Sequence, residues 1–291
     1  MDIIGHQKIV NQLDKALEKG NFSHAYLFAG SEHVGKFTVA LGWAEKLLGT
    51  TSVINPNLII LRPEIEEKNG VIKKKAISVE DVRELQKKLI MTATESKFKI
   101  AIIDDADYLN TSAQNALLKT LEEPANGVIL ILIAQNKEKL LPTIISRCQT
   151  KKFNPVSSDE LDKILDNNQY REEIIFWSLG RPGLARMLSE DKTALRERQE
   201  SFQEFKNLFS QNITERFILA ENISKNAVGM IDKLNWWLVM LRESILSPDY
   251  ALNISQEKAL RVAEKTGESI RILKETNSNP RLIMENLMLE F

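Results

Sequence analysis

GSEHVGKFT, running from Gly30 to Thr38, lies between an apolar run, Ala25-Tyr26-Leu27-Phe28-Ala29, and a helix-like segment, Val39-Ala40-Leu41-Gly42-Trp43-Ala44. Strand, glycine loop and helix in that order form the setting of a phosphate-binding loop, G-x-x-x-x-G-K-[ST]. Backbone N–H groups of such a loop cradle phosphates, its lysine reaches the β and γ phosphates, and its last hydroxyl holds Mg²⁺. Gly30, Gly35 and Lys36 match, but Phe37 stands where the hydroxyl belongs. A phenyl ring has no oxygen to give a metal, and Thr38 faces a different part of the site unless the helix start shifts. The loop keeps nucleotide binding open and counts against metal-assisted hydrolysis. A glycine turn arising by chance between a strand and a helix would give the same degenerate match, so a second element has to decide.

That element is Lys99-Ile100-Ala101-Ile102-Ile103-Asp104-Asp105, an apolar strand ending in paired acids. A buried strand that delivers carboxylates to its C-terminal edge sets them beside a phosphate loop, one to orient Mg²⁺ and the next to polarise water. The second acid of such ATPases is usually Glu; Asp105 is one methylene shorter, a shortfall of about 1.5 Å. Capping of the following turn is the plainer role for Asp104 and Asp105. Loop and acids together favour a nucleotide-binding fold without a working hydrolytic site.

With 291 residues the chain exceeds the usual single-domain size. A formal charge of −1 argues against nucleic-acid binding through a globally basic surface, and the single cysteine, Cys148, permits neither an internal disulfide nor a multi-cysteine zinc site. No signal-peptide pattern and no membrane-length apolar run are present, so a cytoplasmic protein with no membrane partner is expected.

The first half alternates strands and helices. Ile3 to Glu18 has helical apolar spacing at Ile4, Ile9, Val10, Leu13, Ala16 and Leu17; Asn57 to Leu61 reads as a strand; Asn69-Gly70 marks a hairpin between Ile65 and Val71-Ile72. Ser78 and Asp81 form a capping box for a helix through Ile90, Ser112 to Glu122 is a helix stopped by Pro124, and Val128 to Ala134 suits a central strand. This is the rhythm of a parallel sheet covered on both faces. Beyond Phe153 the pattern turns helical: Ser158 to Leu165, Arg171 to Leu179 and Gly183 to Leu188 read as three short helices. Longer amphipathic segments follow from Lys192, one carrying Phe202, Phe205, Leu208 and Phe209, another Ile231, Leu234, Trp237, Leu238 and Leu241. These suit core or subunit contacts better than a cofactor box. The expected division is an α/β nucleotide-binding domain over 1–154, a small three-helix lid over 155–190 and an all-α domain over 191–291.

His24-Ala25-Tyr26-Leu27-Phe28, the loop from Gly30 to Lys36, Asp104 and Asp105, NALLKTLEEP at Asn115 to Pro124, and Ser146-Arg147-Cys148 occur in an order that resembles the bacterial clamp-loader AAA+ proteins. The match covers the first half by motif order and the rest by helical architecture alone. NALLKTLEEP followed by TIISRC is much more specific than the loop. The resemblance implies an α/β P-loop AAA+ domain, a helical lid and a C-terminal helical collar for oligomerisation. It also implies that Arg147 reaches the γ-phosphate of ATP held by a neighbouring subunit. A guanidinium supplied in trans stabilises transition-state charge and is worth about 10³ to 10⁵ in rate where such fingers act. An ion pair within its own domain is the competing role for Arg147, with Cys148 as ordinary core.

Departures from the family pattern refine this expectation. Many relatives carry a four-cysteine zinc module after the loop helix, whereas Leu47 to Leu58 contains no cysteine, so no zinc is expected. Motor subunits sense nucleotide through a Gly-x-x-Arg in the lid; in Gly180-Arg181-Pro182-Gly183 that place falls to Gly183, with Arg181 as a substitute of unpredictable direction. A further polar sensor is expected near Gln135 and Asn136. Gly30, Gly35, Lys36, Thr38, Asp104 and Asp105 are the expected contacts for ATP or ADP, held weakly and with little or no hydrolysis. The implied partners are motor subunits of the gamma/tau type, a delta-type clamp-opening subunit and, through the complex, the sliding clamp and primer-template DNA. Contacts to DNA from residues such as Lys119 cannot be told from solvated charge. Two alternatives stay open: an active motor ATPase in which Thr38 or water completes the metal shell, and a nucleotide-binding adaptor with no clamp role.

Overall fold

A computed structural model describes residues 3–50, 55–68, 71–90, 97–166, 168–225, 227–246, 252, 254–276 and 278–291. The chain divides into two compact units, Met1–Lys192 and Thr193–Phe291.

The first unit is built on a five-stranded parallel sheet. Along the chain it runs α1 (Gln7–Glu18), β1 (Ala25–Ala29), α2 (Lys36–Leu48), β2 (Leu58–Leu61), the hairpin β3 (Ile65–Lys68) and β4 (Val71–Lys74), and α3 (Val79–Ile90). There follow β5 (Lys99–Ile103), α4 (Thr111–Glu122), β6 (Val128–Ala134), α5 (Pro142–Ile145) and β7 (Gln149–Lys152). The sheet order is β2-β5-β6-β1-β7, which makes β5, β6 and β1 central. Their unbroken apolar sequences follow from burial on both faces. Side chains alternate between the faces: Leu27, Ala101, Ile103, Leu130 and Leu132 join α3 and α4 in one core, whereas Tyr26, Phe28, Ile100, Ile102 and Ile131 join α1 and α2 in the other.

Local chemistry sets the ends. Ser78 and Asp81 exchange hydrogen bonds ahead of α3, and the Asn110 side chain accepts from Ala113 N to open α4 one residue earlier than its sequence suggests. The first helix is shorter than expected, starting at Gln7 and not Ile3, because Gly5 (φ 66°) and His6 (φ 57°) turn left-handed and break the helical path. Ile3 and Ile4 are thereby left outside the helix. β3 and β4 pair antiparallel as expected for a hairpin; its turn, Asn69-Gly70, lies outside the described residues. β7 has no counterpart in the sequence reading: Gln149-Thr150-Lys151-Lys152 pairs with β1 at the sheet edge, where no apolar pattern is required.

Three short helices complete this unit: α6 (Ser158–Asp162), α7 (Arg171–Ser178) and α8 (Pro182–Glu190). α6 ends before the expected Leu165, and α8 begins one residue early with Pro182 in its first turn, where the missing N–H costs nothing.

The second unit comprises α9 (Lys192–Leu208) from Thr193 onward, then α10 (Ile213–Ser224), α11 (Ala227–Leu246), α12 (Gln256–Glu275) and α13 (Pro280–Met288). Its centre is aromatic: the rings of Phe205, Trp237 and Phe291 lie with centroids 5.5–5.7 Å apart, Phe209 is 5.0 Å from Phe291, and Leu234 and Leu241, either side of Trp237 on α11, are buried. No described helix is long and apolar enough to cross a membrane.

Candidate functional site

A cavity of about 300 Å³ opens at the C-terminal edge of the sheet, where the loop after β1 meets the acids after β5. Open α/β sheets place ligand sites at this edge. Among its lining residues are Gly35, Lys36, Phe37 and Thr38 from the loop and α2, Asp104 and Asp105 after β5, Gln135 after β6, and Ile3 and Ile4 from the N-terminal segment.

Gly35 has φ 102°, a conformation that favours glycine, and it brings the backbone round into the first turn of α2. His6 ties the N-terminal segment to the loop through Nε2, 2.7 Å from Val34 O. The Lys36 ammonium is buried and folded back, donating to Gly30 O and Ser31 O at 2.6 Å each. Burial lowers its pKa, against the pull of Asp104, Asp105, Asp107 and Glu32. Burial likewise lowers the pKa of His33, with Glu32 acting in the opposite direction.

The two acids are already engaged. Leu61 pairs with Ile103 across β2 and β5, so the next residue of each strand, Arg62 and Asp104, emerge side by side, and Arg62 Nε donates to Asp104 Oδ2 at 3.1 Å. The other oxygen, Oδ1, accepts from Asp105 N at 3.2 Å. The same Arg62 guanidinium stacks over the Phe37 ring, 4.2 Å from its centroid. Burial raises the pKa of Asp104, opposed chiefly by Arg62. At the end of β4, Lys74 donates to Asp105 Oδ2 at 2.6 Å and lies 3.5 Å from Glu32 Oε1. Although burial pulls the Lys74 pKa down, the bond to Asp105 and the charges of Asp105 and Glu32 raise it overall.

These contacts do not fit Mg²⁺. The ion requires a near-octahedral set of oxygen ligands. Here an apolar ring replaces the hydroxyl, each Asp104 oxygen already accepts a hydrogen bond, and Arg62 and Lys74 would meet a dication with like charge. The residues do fit an anion: the backbone turn at Gly35, the helix start at Lys36 and the cationic side chains supply donors. Among the described residues no cluster of His, Cys, Asp and Glu could hold a metal ion.

The lid residues fall differently from expectation. Arg181 points back into its own segment, its Nε donating to Ser178 O at 3.1 Å. The Gly-x-x-Arg spacing is satisfied three residues later, by Gly183-Leu184-Ala185-Arg186, and Arg186 lines the cavity. Gly183 N donates to His33 O at 2.8 Å, and a Cβ at Gly183 would lie 3.0 Å from that oxygen. Small size at Gly183 thus lets α8 dock on the loop and carry Arg186 to the cavity, so Gly183 is no sign of a missing arginine. Counting the same spacing from Gly183 would have found it. Of the expected polar sensors, Gln135 lines the cavity, whereas Asn136 caps a short turn by accepting from Glu138 N.

Arg147 does not line this cavity. It follows α5, with Nη2 2.7 Å from Glu122 Oε1 and Nη1 donating to Thr143 O at 3.0 Å, and about a third of its side chain remains exposed. Cys148 packs against the core, and burial pushes its thiol up to about 12. Lys119 is exposed on the last turn of α4.

A family model described as DNA polymerase III, delta subunit, matches residues 5–157, just over half of the chain. DNA polymerase III subunit gamma of Buchnera aphidicola subsp. Baizongia pistaciae is 30% identical over 75% of this chain and 60% of its own length. DNA polymerase III subunit delta' of Pseudomonas aeruginosa is 26% identical over 94% and 93%. The chain spans 50–60% of the length of the first curated relatives it matches. Among solved structures, a DNA polymerase III gamma-subunit-related protein from Thermotoga maritima aligns over 96% of this chain and 97% of its own, with 19% identity and a TM-score of 0.54, a likeness of fold.

Proposed function

Because the chain belongs to the DNA polymerase III delta-subunit family of clamp-loader AAA+ proteins, we propose that it is a delta-prime-type stator. In this reading it assembles with gamma/tau-type motor subunits and a delta-type clamp-opening subunit, and the complex loads the sliding clamp on primed DNA. Its own cavity holds ATP or ADP weakly and does not turn it over. Arg147 leaves Glu122 on assembly and stabilises charge developing on the γ-phosphate of a neighbour's ATP, an effect of about 10³ to 10⁵ in rate where such fingers act. The three-part division into nucleotide-binding domain, lid and collar belongs to the same reading.

The observation that carries it is the state of the acids: Asp104 and Asp105 are each held by a cation, next to an apolar residue in the hydroxyl position. A subunit that cannot assemble a metal site of its own contributes to turnover through what it lends its neighbour.

The test is ATP turnover by the purified chain, by the motor subunit, and by their mixture. Turnover absent alone, stimulated on mixing and lost in Arg147→Ala with the complex intact supports the reading; unchanged turnover in Arg147→Ala sinks it. A motor subunit is the second reading, favoured by Arg186 at the cavity and by the identity to a gamma subunit. Mg²⁺-dependent turnover by the chain alone would establish it in place of the first. Co-purification with neither motor nor clamp-opening subunits would favour an adaptor.

A further inference from the structure

We propose that Arg62 and Lys74 take over the role of the divalent metal, so that the cavity binds the phosphates of a nucleoside di- or triphosphate without Mg²⁺. The inference rests on reading the cavity as a nucleotide site, and it adds how that site manages charge. Three carboxylates lie at the cavity wall, Glu32, Asp104 and Asp105. Left bare, they would repel incoming phosphates: like charges 4 Å apart cost about 4 kcal/mol at the effective dielectric near a protein surface. In a metal-dependent site the dication removes that repulsion.

Here side chains remove it in advance. Arg62 binds Asp104, and Lys74 binds Asp105 and approaches Glu32. Neither Arg62 nor Lys74 itself lines the cavity; Arg62 sits against Phe37 and Asp104 and Lys74 against Asp105, which do, so both act through charge and position, not by touching ligand. Phe37 thereby acquires a role. Its ring holds the guanidinium in a plane that a hydroxyl could not support, and the change that removes a metal ligand supplies the seat for the metal's replacement.

Two cations then remain for the ligand. Arg186 lines the cavity with no ion pair or hydrogen bond from its guanidinium among the described residues. The hydrogen bonds of the Lys36 ammonium go, among the described residues, to two neutral carbonyls, which a charged phosphate oxygen outcompetes. With Arg62 and Lys74 paired to the acids, Lys36 and Arg186 are the cationic side chains left on the cavity wall.

The test is calorimetric titration of the full chain with ADP and with ATP, once in excess EDTA and once in excess Mg²⁺. Dissociation constants agreeing within about fivefold are expected; a larger tightening by Mg²⁺ overturns the proposal, since fivefold corresponds to about 1 kcal/mol of metal contribution. Arg62→Met should weaken binding in EDTA by more than about fivefold and regain part of it with Mg²⁺, while Arg62→Lys should stay metal-independent. Unchanged EDTA binding in Arg62→Met, with the fold verified by circular dichroism, would also overturn it. Loss of binding in Lys36→Ala under both conditions ties the signal to this cavity. Binding seen only with Mg²⁺ defeats the proposal and leaves the nucleotide site standing; no binding in either buffer defeats both, while the Arg147 assay remains independent.

Discussion

Arg147 and Glu122 meet at 2.7 Å, joining the second residue after α5 to the last residue of α4, with the guanidinium also held by Thr143 O. The arginine proposed to reach a neighbour's phosphate therefore has a partner of its own in the free chain. Because the pair is partly exposed, it is worth about 0.2–1 kcal/mol, little enough to yield to a phosphate. Glu122→Gln is predicted to tighten association with an ATP-loaded motor subunit by about two- to fivefold, measured by surface plasmon resonance. Weaker association would show that Glu122 aims the arginine and does not compete for it.

Restoring the hydroxyl alone will not restore catalysis. Phe37→Thr removes the ring under Arg62, yet Arg62 still reaches Asp104 and Lys74 still holds Asp105. Turnover by the isolated Phe37→Thr chain should stay at background, while combining it with Arg62→Ala and Lys74→Ala should raise Mg²⁺-dependent turnover at least about tenfold. A sharp rise in the single variant would mean that the hydroxyl was the only missing part.

Cys148 titrates far from its ordinary 9.0, pushed up by burial to about 12. The folded pKa lies above the unfolded one, so stability is complete below about 9 and falls as pH rises toward about 12. Across that window the wild type should lose up to about 1.4 kcal/mol per pH unit more than Cys148→Ala, read from urea unfolding midpoints. At neutral pH the thiol should resist labelling by Ellman's reagent until the protein unfolds.

Two glycines predict opposite signs. A Cβ on Gly30 would lie 2.2 Å from the backbone oxygen of Phe153, beside the bond from Phe153 N to Ala29 O. Gly30→Ala should therefore destabilise by about 1–3 kcal/mol. Gly267 lies within α12, where such a Cβ would meet nothing within 4 Å among the described residues beyond its own helix backbone, and Gly267→Ala should stabilise by about 0.5–1 kcal/mol. Differential scanning calorimetry of both variants checks the pair.

The readable part of the candidate site was the part set by short-range pattern. Gly35, Lys36, Phe37, Asp104 and Asp105 stand in the spacings of a strand–loop–helix and of a strand end, and all five line the cavity. Arg62 and Lys74 carried no such signal. They sit 42 and 31 residues from their acids, and only the pairing of β2 with β5 and the fold of the hairpin bring them there. Arg186 was legible in principle, since its Gly-x-x-Arg spacing is local, but the preceding glycine at Gly180 offered a competing register.

Local sequence set the central strands β1, β5 and β6, the loop between β1 and α2, and the cap of α3, because apolar runs, glycine conformations and capping side chains act within a few residues. Long-range packing is what sets β7 at the sheet edge, gives each acid a cation and rests Arg147 on Glu122. An edge strand needs no apolar pattern, and an ion pair is chosen by which elements the topology makes neighbours. Neither leaves a local trace in the order of residues.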